Sequence, residues 1–187
     1  MSVRTYSRWR RILSRVPLRA ALACVKPVAL LDHRLYMRLL LPLLRRAGVV
    51  LTGAPRYLSP SVFFDDFDRV ELGERTILSS HVSLLTHDYA WTTVLTAVGK
   101  LEGGDEAIVR GIRIGRNVFV GRGALLMPGT VIEDDVIIGA GAVVRGRIEA
   151  GSVMIGNPAR RSGTVAELYE KQCGRLDTLD VRKDRVA

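Results

Sequence analysis

Three histidines, His33, His81 and His87, are the side chains of this sequence best suited to move a proton near neutral pH, because an unperturbed imidazole titrates at about 6.5. His87 stands in the string Thr86-His87-Asp88-Tyr89. Roughly twenty residues then depart from an otherwise regular pattern, carrying Trp91 and Gly103-Gly104, and a loop of that length in a compact fold usually serves a function. A neutral imidazole placed there can take the proton of an attacking hydroxyl and hand it to a leaving group. His33 falls in a basic helical stretch and reads as a surface residue, and His81 lies one repeat unit before His87, on an adjoining face. Asp88 either orients the His87 ring or lines its pocket, although neighbours on an extended strand point to opposite faces. Asp65 or Asp66, in the string Phe63-Phe64-Asp65-Asp66, is the other candidate acid. Asp65, Asp66, Asp88 and Trp91 are the residues expected to bind substrate. Cys24 and Cys173 lack metal-site spacing and read as reduced thiols of a cytoplasmic protein, with no metal expected.

The elements that must position His87 follow from a six-residue period. Ile108, Ile114, Val120, Leu126, Ile132, Ile138 and Val144 recur at strict intervals, and Leu72, Leu78 and Leu84 keep the same phase. Four residues after each member of the first series comes Ile112, Val118, Ala124, Thr130, Val136, Ala142 or Ile148. A helix repeats near 3.6 residues and an amphipathic strand at 2, so neither fits. Six suits a short strand followed by a corner, with the aliphatic pointing inward and Gly115, Gly121, Gly139, Gly141, Asn117 or Asp135 permitting a tight turn. Three units close one triangular coil, and stacked coils bury a continuous column. Aromatics make up only 6% of the chain, as a narrow interior requires. Near Tyr57–Glu71 the pattern is disturbed by Phe63, Phe64 and Phe67.

On this period the body, residues 57–163, resembles the left-handed parallel β-helix of the hexapeptide-repeat acyltransferases, with about 4–6 triangular coils. The segment Gly151-Ser152-Val153-Met154-Ile155-Gly156-Asn157-Pro158-Ala159 is similar to that family's terminal coil, and Thr86-His87-Asp88 to the histidine motif of its sugar and exopolysaccharide O-acetyltransferases. The resemblance supplies the handedness. It implies a homotrimer that moves an acetyl group from acetyl-CoA to a hydroxyl of a sugar, glycan or glycolipid precursor. It also implies His87 as general base, no covalent intermediate, and an excursion covering a site shared between subunits. By position, Arg122 and Ala140 would line the pantetheine groove, while Arg145, Arg160 and Arg161 would meet the coenzyme A phosphates. Val143-Val144 is followed here by Arg145-Gly146-Arg147, where the family often has Thr-Lys. Serine, xenobiotics and amino sugars are alternative acceptors. A γ-type carbonic anhydrase on the same fold would need three histidines for zinc, and a non-catalytic scaffold is the third reading.

Charge divides the chain. Residues 1–56 carry twelve Lys or Arg against the single acid Asp32, whereas the remainder is nearly neutral within a net charge of +9. This basic arm, 1–56, is expected to be helical. Trp9, Ile12, Leu13 and Val16 form one apolar face beside a stripe of Arg4, Arg8, Arg11, Arg15 and Arg19, with a break expected at Pro17. A second segment, with Leu35, Leu39, Leu40 and Leu43, is expected to be interrupted by Pro42. The arm packs on the body or a partner subunit, or docks through residues 1–50 on an anionic membrane at its inner face. Nucleic acid is not expected, for no base-reading motif is present. No apolar run approaches the roughly 20 residues of a spanning helix. The expected divisions are therefore the arm, a repeat domain at 57–163 with an excursion at 88–107, and a C-terminal helix and tail at 164–187. Thr164 and Glu167 form a capping-box pattern there.

Overall fold

The inward aliphatics build a three-sided prism. In a computed structural model of the protein, which describes residues 18–175, Leu72, Leu78, Leu84, Val120, Leu126, Ile138 and Val144 have no exposed surface. Strands of two to four residues stack in parallel on three faces. The first face carries Val50–Leu51, Val70–Leu72, Ile112–Ile114, Val131–Ile132 and Arg147–Ile148. The second carries Tyr57–Leu58, Ile77–Leu78, Phe119–Val120, Ile137–Ile138 and Ser152–Ile155. Phe63–Phe64, Ser83–Leu84, Leu125–Leu126 and Val143–Val144 make the third. The chain visits the faces in turn, giving four full coils and the start of a fifth. The fold is a left-handed parallel β-helix with helices at both ends.

Strict stacking of eighteen holds in the middle, where Val120 lies on Ile138 and Leu126 on Val144. Lower down the spacing is twenty, with Leu58 on Leu78 and Phe64 on Leu84. The added residues fall in one corner: eight residues separate Phe64 from Leu72, where six is regular. That corner holds Asp65 and Asp66 and contains the short helical turn Phe67–Arg69. Phe63 and Phe64 thus sit in register on the third face, Phe67 stacks on Phe64 with ring centres 5.2 Å apart, and the surplus bulges outward.

Several expectations are corrected. Strand pairing starts at Val50–Leu51, inside the segment read as the arm. Ile108 is not part of the interior column; it is 37% exposed and pairs antiparallel with Asp88 outside the prism, so the coils resume at Ile112–Ile114. Pro42 does not interrupt the second apolar segment, because it lies within one helix, His33–Ala47, on its exposed side. Asn117, Asp135 and Gly141 do take positive φ. Gly115, Gly121 and Gly139 do not; they are small because the next coil lies against them, a Cβ on Gly121 meeting the Ala140 backbone nitrogen at 2.5 Å.

The helix His33–Ala47 closes the bottom of the prism. Asp32 caps its N-terminus by accepting from the backbone N–H of Arg34 and Leu35, and Gly48 ends it in the left-handed region. Tyr36, Met37, Leu40 and Leu44 form its buried face, spaced as one helix stripe. Burial pushes the Tyr36 phenol well above its usual range, assisted by Tyr57. At the top, Arg160–Thr164 runs antiparallel on Ser152–Ile155, covering that sheet edge. Thr164 then starts the helix Val165–Cys173 through the capping box with Glu167. Among the described residues no helix is long and apolar enough to cross a membrane. The stripe Trp9, Ile12, Leu13 and Val16, the break at Pro17 and the tail after Arg175 lie outside them.

Gly121→Ala is expected to cost about 1–3 kcal/mol through overpacking, read as a lower urea midpoint. Gly123→Asn, at φ +68° with nothing within 4 Å of its Cβ position, should leave that midpoint nearly unchanged.

Candidate functional site

His87 is placed by the end of one coil and the root of the excursion. It follows the third-face strand Ser83–Leu84, and with Asp88 it pairs antiparallel with Ile108–Val109. The excursion therefore leaves and rejoins the prism through a two-stranded stem. Above the stem the helix Ala90–Ala97 forms, and the Thr92 hydroxyl ties it to the backbone of Glu106 at 2.6 and 2.7 Å.

One coil below, Asp65 and Asp66 leave the strand Phe63–Phe64 at the lengthened corner. Stacking of Phe64 on Leu84 brings both carboxylates beneath His87. Asp65 Oδ2 lies 3.0 Å from Nδ1 of the ring and accepts from the backbone N–H groups of Thr86 and His87 at 3.1 and 3.2 Å. Asp66 Oδ2 lies 3.1 Å from Nε2. The Thr86 hydroxyl, fully buried, donates to Asp66 Oδ2 at 3.1 Å, and Arg69 Nε approaches the same oxygen at 3.4 Å. Both ring nitrogens thus face carboxylate oxygens, while the ring keeps 29% of its surface exposed. Partial burial alone would raise the Asp65 carboxyl. The Thr86 N–H, the His87 ring and the His87 N–H together outweigh it and hold Asp65 below the usual carboxylate range.

The two acids suggested by the Phe-Phe-Asp-Asp string are therefore brought to His87. Asp88 is not; its Oδ1 accepts from the Ala90 N–H at the start of the excursion helix. Trp91 lies exposed on that helix, and the aromatic ring beside the imidazole is Tyr89, centred 6.3 Å away. Tyr89 stands in the quoted string, yet nothing in its spacing singles it out. His81 occupies an exposed corner at φ +60°, its N–H bound to the Ser61 hydroxyl. His33 opens the bottom helix and meets the Tyr57 ring edge-on.

The residues expected on the donor side are dispersed. Arg122 and Ala140 do stack, with the Gly141 N–H donating to the Arg122 carbonyl at 2.8 Å. They sit in the turns between the second and third faces, whereas His87 lies beyond the far margin of the third face. Arg145 follows Val143–Val144 and stacks above Met127 on the His87 margin. Arg161 lies 3.6 Å from Glu149, and Arg160 donates to the Ala159 carbonyl. One chain therefore does not gather Arg122 and Ala140 around His87. Among the described residues no three His, Cys, Asp or Glu side chains form a group able to hold a metal ion.

Asp65 also links the site to stability. A carboxylate depressed by native contacts stabilises the fold above its unfolded titration point, about 3.9, and that contribution is lost as pH falls through the lower native value. Asp65→Asn should flatten the acid limb of the stability curve below about pH 4, measured by urea unfolding at stepped pH; an unchanged slope would contradict the pairing.

Residues 111–146 match the family of the bacterial transferase hexapeptide (six repeats). Over 122 residues the chain is 27% identical to WbbJ of Escherichia coli K12, named as an O-acetyl transferase of lipopolysaccharide biosynthesis. That alignment covers 60% of this chain and 59% of the relative, so the chain spans less than two thirds of its length. A shorter stretch of 59 residues is 42% identical to the mitochondrial gamma carbonic anhydrase 1 of Arabidopsis thaliana, covering 30% of this chain and 22% of that protein. The solved structure of a galactoside acetyltransferase in complex with coenzyme A superposes with a TM-score of 0.58 at 19% identity, covering 91% of this chain and 86% of the other. The six-residue period, the triangular coils and the matched repeats show that the body of this chain has the hexapeptide-repeat β-helix fold and, over residues 111–146, is similar to the bacterial transferase hexapeptide family.

Proposed function

We propose that the protein is an acetyl-CoA-dependent O-acetyltransferase acting on a hydroxyl of a sugar, glycan or glycolipid precursor. The observation that carries this reading is the part-exposed His87 ring at the root of the excursion, with Nδ1 held 3.0 Å from Asp65 Oδ2. Asp65 accepts from Nδ1–H and fixes the tautomer that leaves Nε2 to act as base. Asp66 Oδ2 lies 3.1 Å from Nε2, so the acceptor hydroxyl must displace that carboxylate before it can reach the base. As its oxygen attacks the thioester carbonyl, the proton passes to Nε2, the carbon–sulfur bond breaks, and the proton is delivered to the departing thiolate. The products are the acetyl ester and free coenzyme A, with no acyl-enzyme. The likeness to WbbJ and to a coenzyme A-bound neighbour supports the donor and the saccharide class.

The assembly is proposed as a homotrimer. The His87 margin of one subunit would face the Arg122–Ala140 margin of the next, which accounts for their separation within one chain. Arg145, Arg160 and Arg161 supply charge for the coenzyme phosphates. Trp91 and Asp88 belong to the excursion that would cover the acceptor. Peripheral contact with an anionic membrane is supported by Leu30 and Leu31, each 89% exposed, in a stretch flanked by Lys26, Arg34 and Arg38.

His87→Ala should lower acetyl transfer to a sugar panel by about 10²–10⁴-fold with the fold retained by circular dichroism. A scaffold would lose nothing. Co-expressed His87→Ala and Arg122→Glu chains should recover part of the activity each lacks alone, and no recovery would refute the shared site. For the membrane, Leu30→Ser with Leu31→Ser should reduce co-sedimentation with vesicles of anionic phospholipid; equal binding removes that contact.

A further inference from the structure

A cavity of about 490 Å³ lies between the N-terminal helical segment and the lowest coil, within the roughly 300–1,000 Å³ of small-ligand clefts. Its walls are mostly apolar. Leu44, Leu58 and Tyr36, each 1% exposed, belong to both the wall and the core, and Phe63 and Phe64 complete one side. The cavity opens to solvent beside Arg19, Ala23, Lys26 and Phe63, so an apolar occupant would remove its aliphatic and aromatic wall from water. Two cations, Arg19 and Lys26, line the same cavity. Among the described residues neither forms an ion pair. The remaining polar lining is Ser59 and Asp65, and Asp65 is the carboxylate that holds the His87 ring.

We propose that this cavity receives the hydrocarbon chain of an anionic amphiphile, whose phosphate-type head meets Arg19 and Lys26. An apolar wall selects the chain and the unpaired cations select the head. Asp65 spans cavity and site, so a saccharide carried on such a head reaches toward His87 while its chain stays in the cavity. That the amphiphile is also the acetyl acceptor rests on the acetyl-transfer reading; the class of ligand bound does not.

The test is a calorimetric titration of the full chain with octyl, decyl and dodecyl phosphate below their micelle concentrations, beside inorganic phosphate and dodecyl maltoside. Saturable binding is expected, tightening by up to about fourfold for each added methylene, with no detectable binding of inorganic phosphate. Ala23→Trp, which adds bulk to the cavity wall, should weaken dodecyl phosphate at least tenfold. If that variant misfolds, Arg19→Gln with Lys26→Gln should weaken dodecyl phosphate and spare dodecyl maltoside. Four results would overturn the proposal: no saturable binding, affinity indifferent to these substitutions, inorganic phosphate binding as tightly as dodecyl phosphate, or binding that emerges only in Leu13→Asp. The last would assign the cavity to the chain's own N-terminal segment. Because no titration requires turnover, failure of acetyl transfer and failure of the cavity are read separately.

Discussion

Coil-to-coil backbone hydrogen bonding is the constraint on which the arrangement rests. On the third face and its far margin, the Asp65 N–H donates to the Leu84 carbonyl, Leu85 to Leu126 and Met127 to Val144, at 3.1, 3.0 and 2.9 Å. Each rung fixes the height and direction of the next, so residues about twenty apart in sequence become vertical neighbours. Asp65 reaches His87 for this reason alone. Its carboxylate caps two N–H groups of the coil above and then has one ring nitrogen within reach. A slip of one residue would turn the interior aliphatics outward, so the hydrophobic column enforces the geometry of the site.

Polar groups inside that column show how interior and site connect. Thr76, Thr86 and Thr130 are all completely buried. Thr76 and Thr130 satisfy their hydroxyls on nearby carbonyls, those of Gly73 and Met127. Thr86 instead donates outward to Asp66. A residue at an inward corner position thereby fixes the second carboxylate, and Arg69 approaches the same oxygen from the helical turn. The imidazole is thereby positioned from the core, through Thr86 and the two acids, as well as from the excursion stem, through the pairing of His87 with Val109.

The N-terminal segment combines two tasks. Its helix seals the bottom of the column with Tyr36, Met37, Leu40 and Leu44, as an exposed β-helix end requires. A cavity remains beside the lowest coil, and Phe67, in the lengthened Asp65–Arg69 corner, stacks on Phe64 in its wall. The lengthened corner thus contributes Asp65 and Phe67 to the cavity wall and carries both acids that meet His87.

The period of six with branched aliphatics at each inward position made the prism legible, since only a short strand and corner satisfy that repeat. The capping box at Thr164 and Glu167 was equally local and equally legible. Pro42 was misread because a proline on the exposed side of a helix is carried by packing on the opposite face, and packing is not a local property. Ile108 was misread because its spacing matched the column while its backbone pairs with Asp88 outside it. His87 and the Phe-Phe-Asp-Asp string stood out as separate candidates, but the two-residue lengthening between Phe64 and Leu72 hid their stacking. Side-chain type and repeat length determine which residues can enter the interior and which can carry a proton. Which carboxylate meets which ring nitrogen was decided only when the coils closed, because that contact depends on register accumulated over a whole turn of chain.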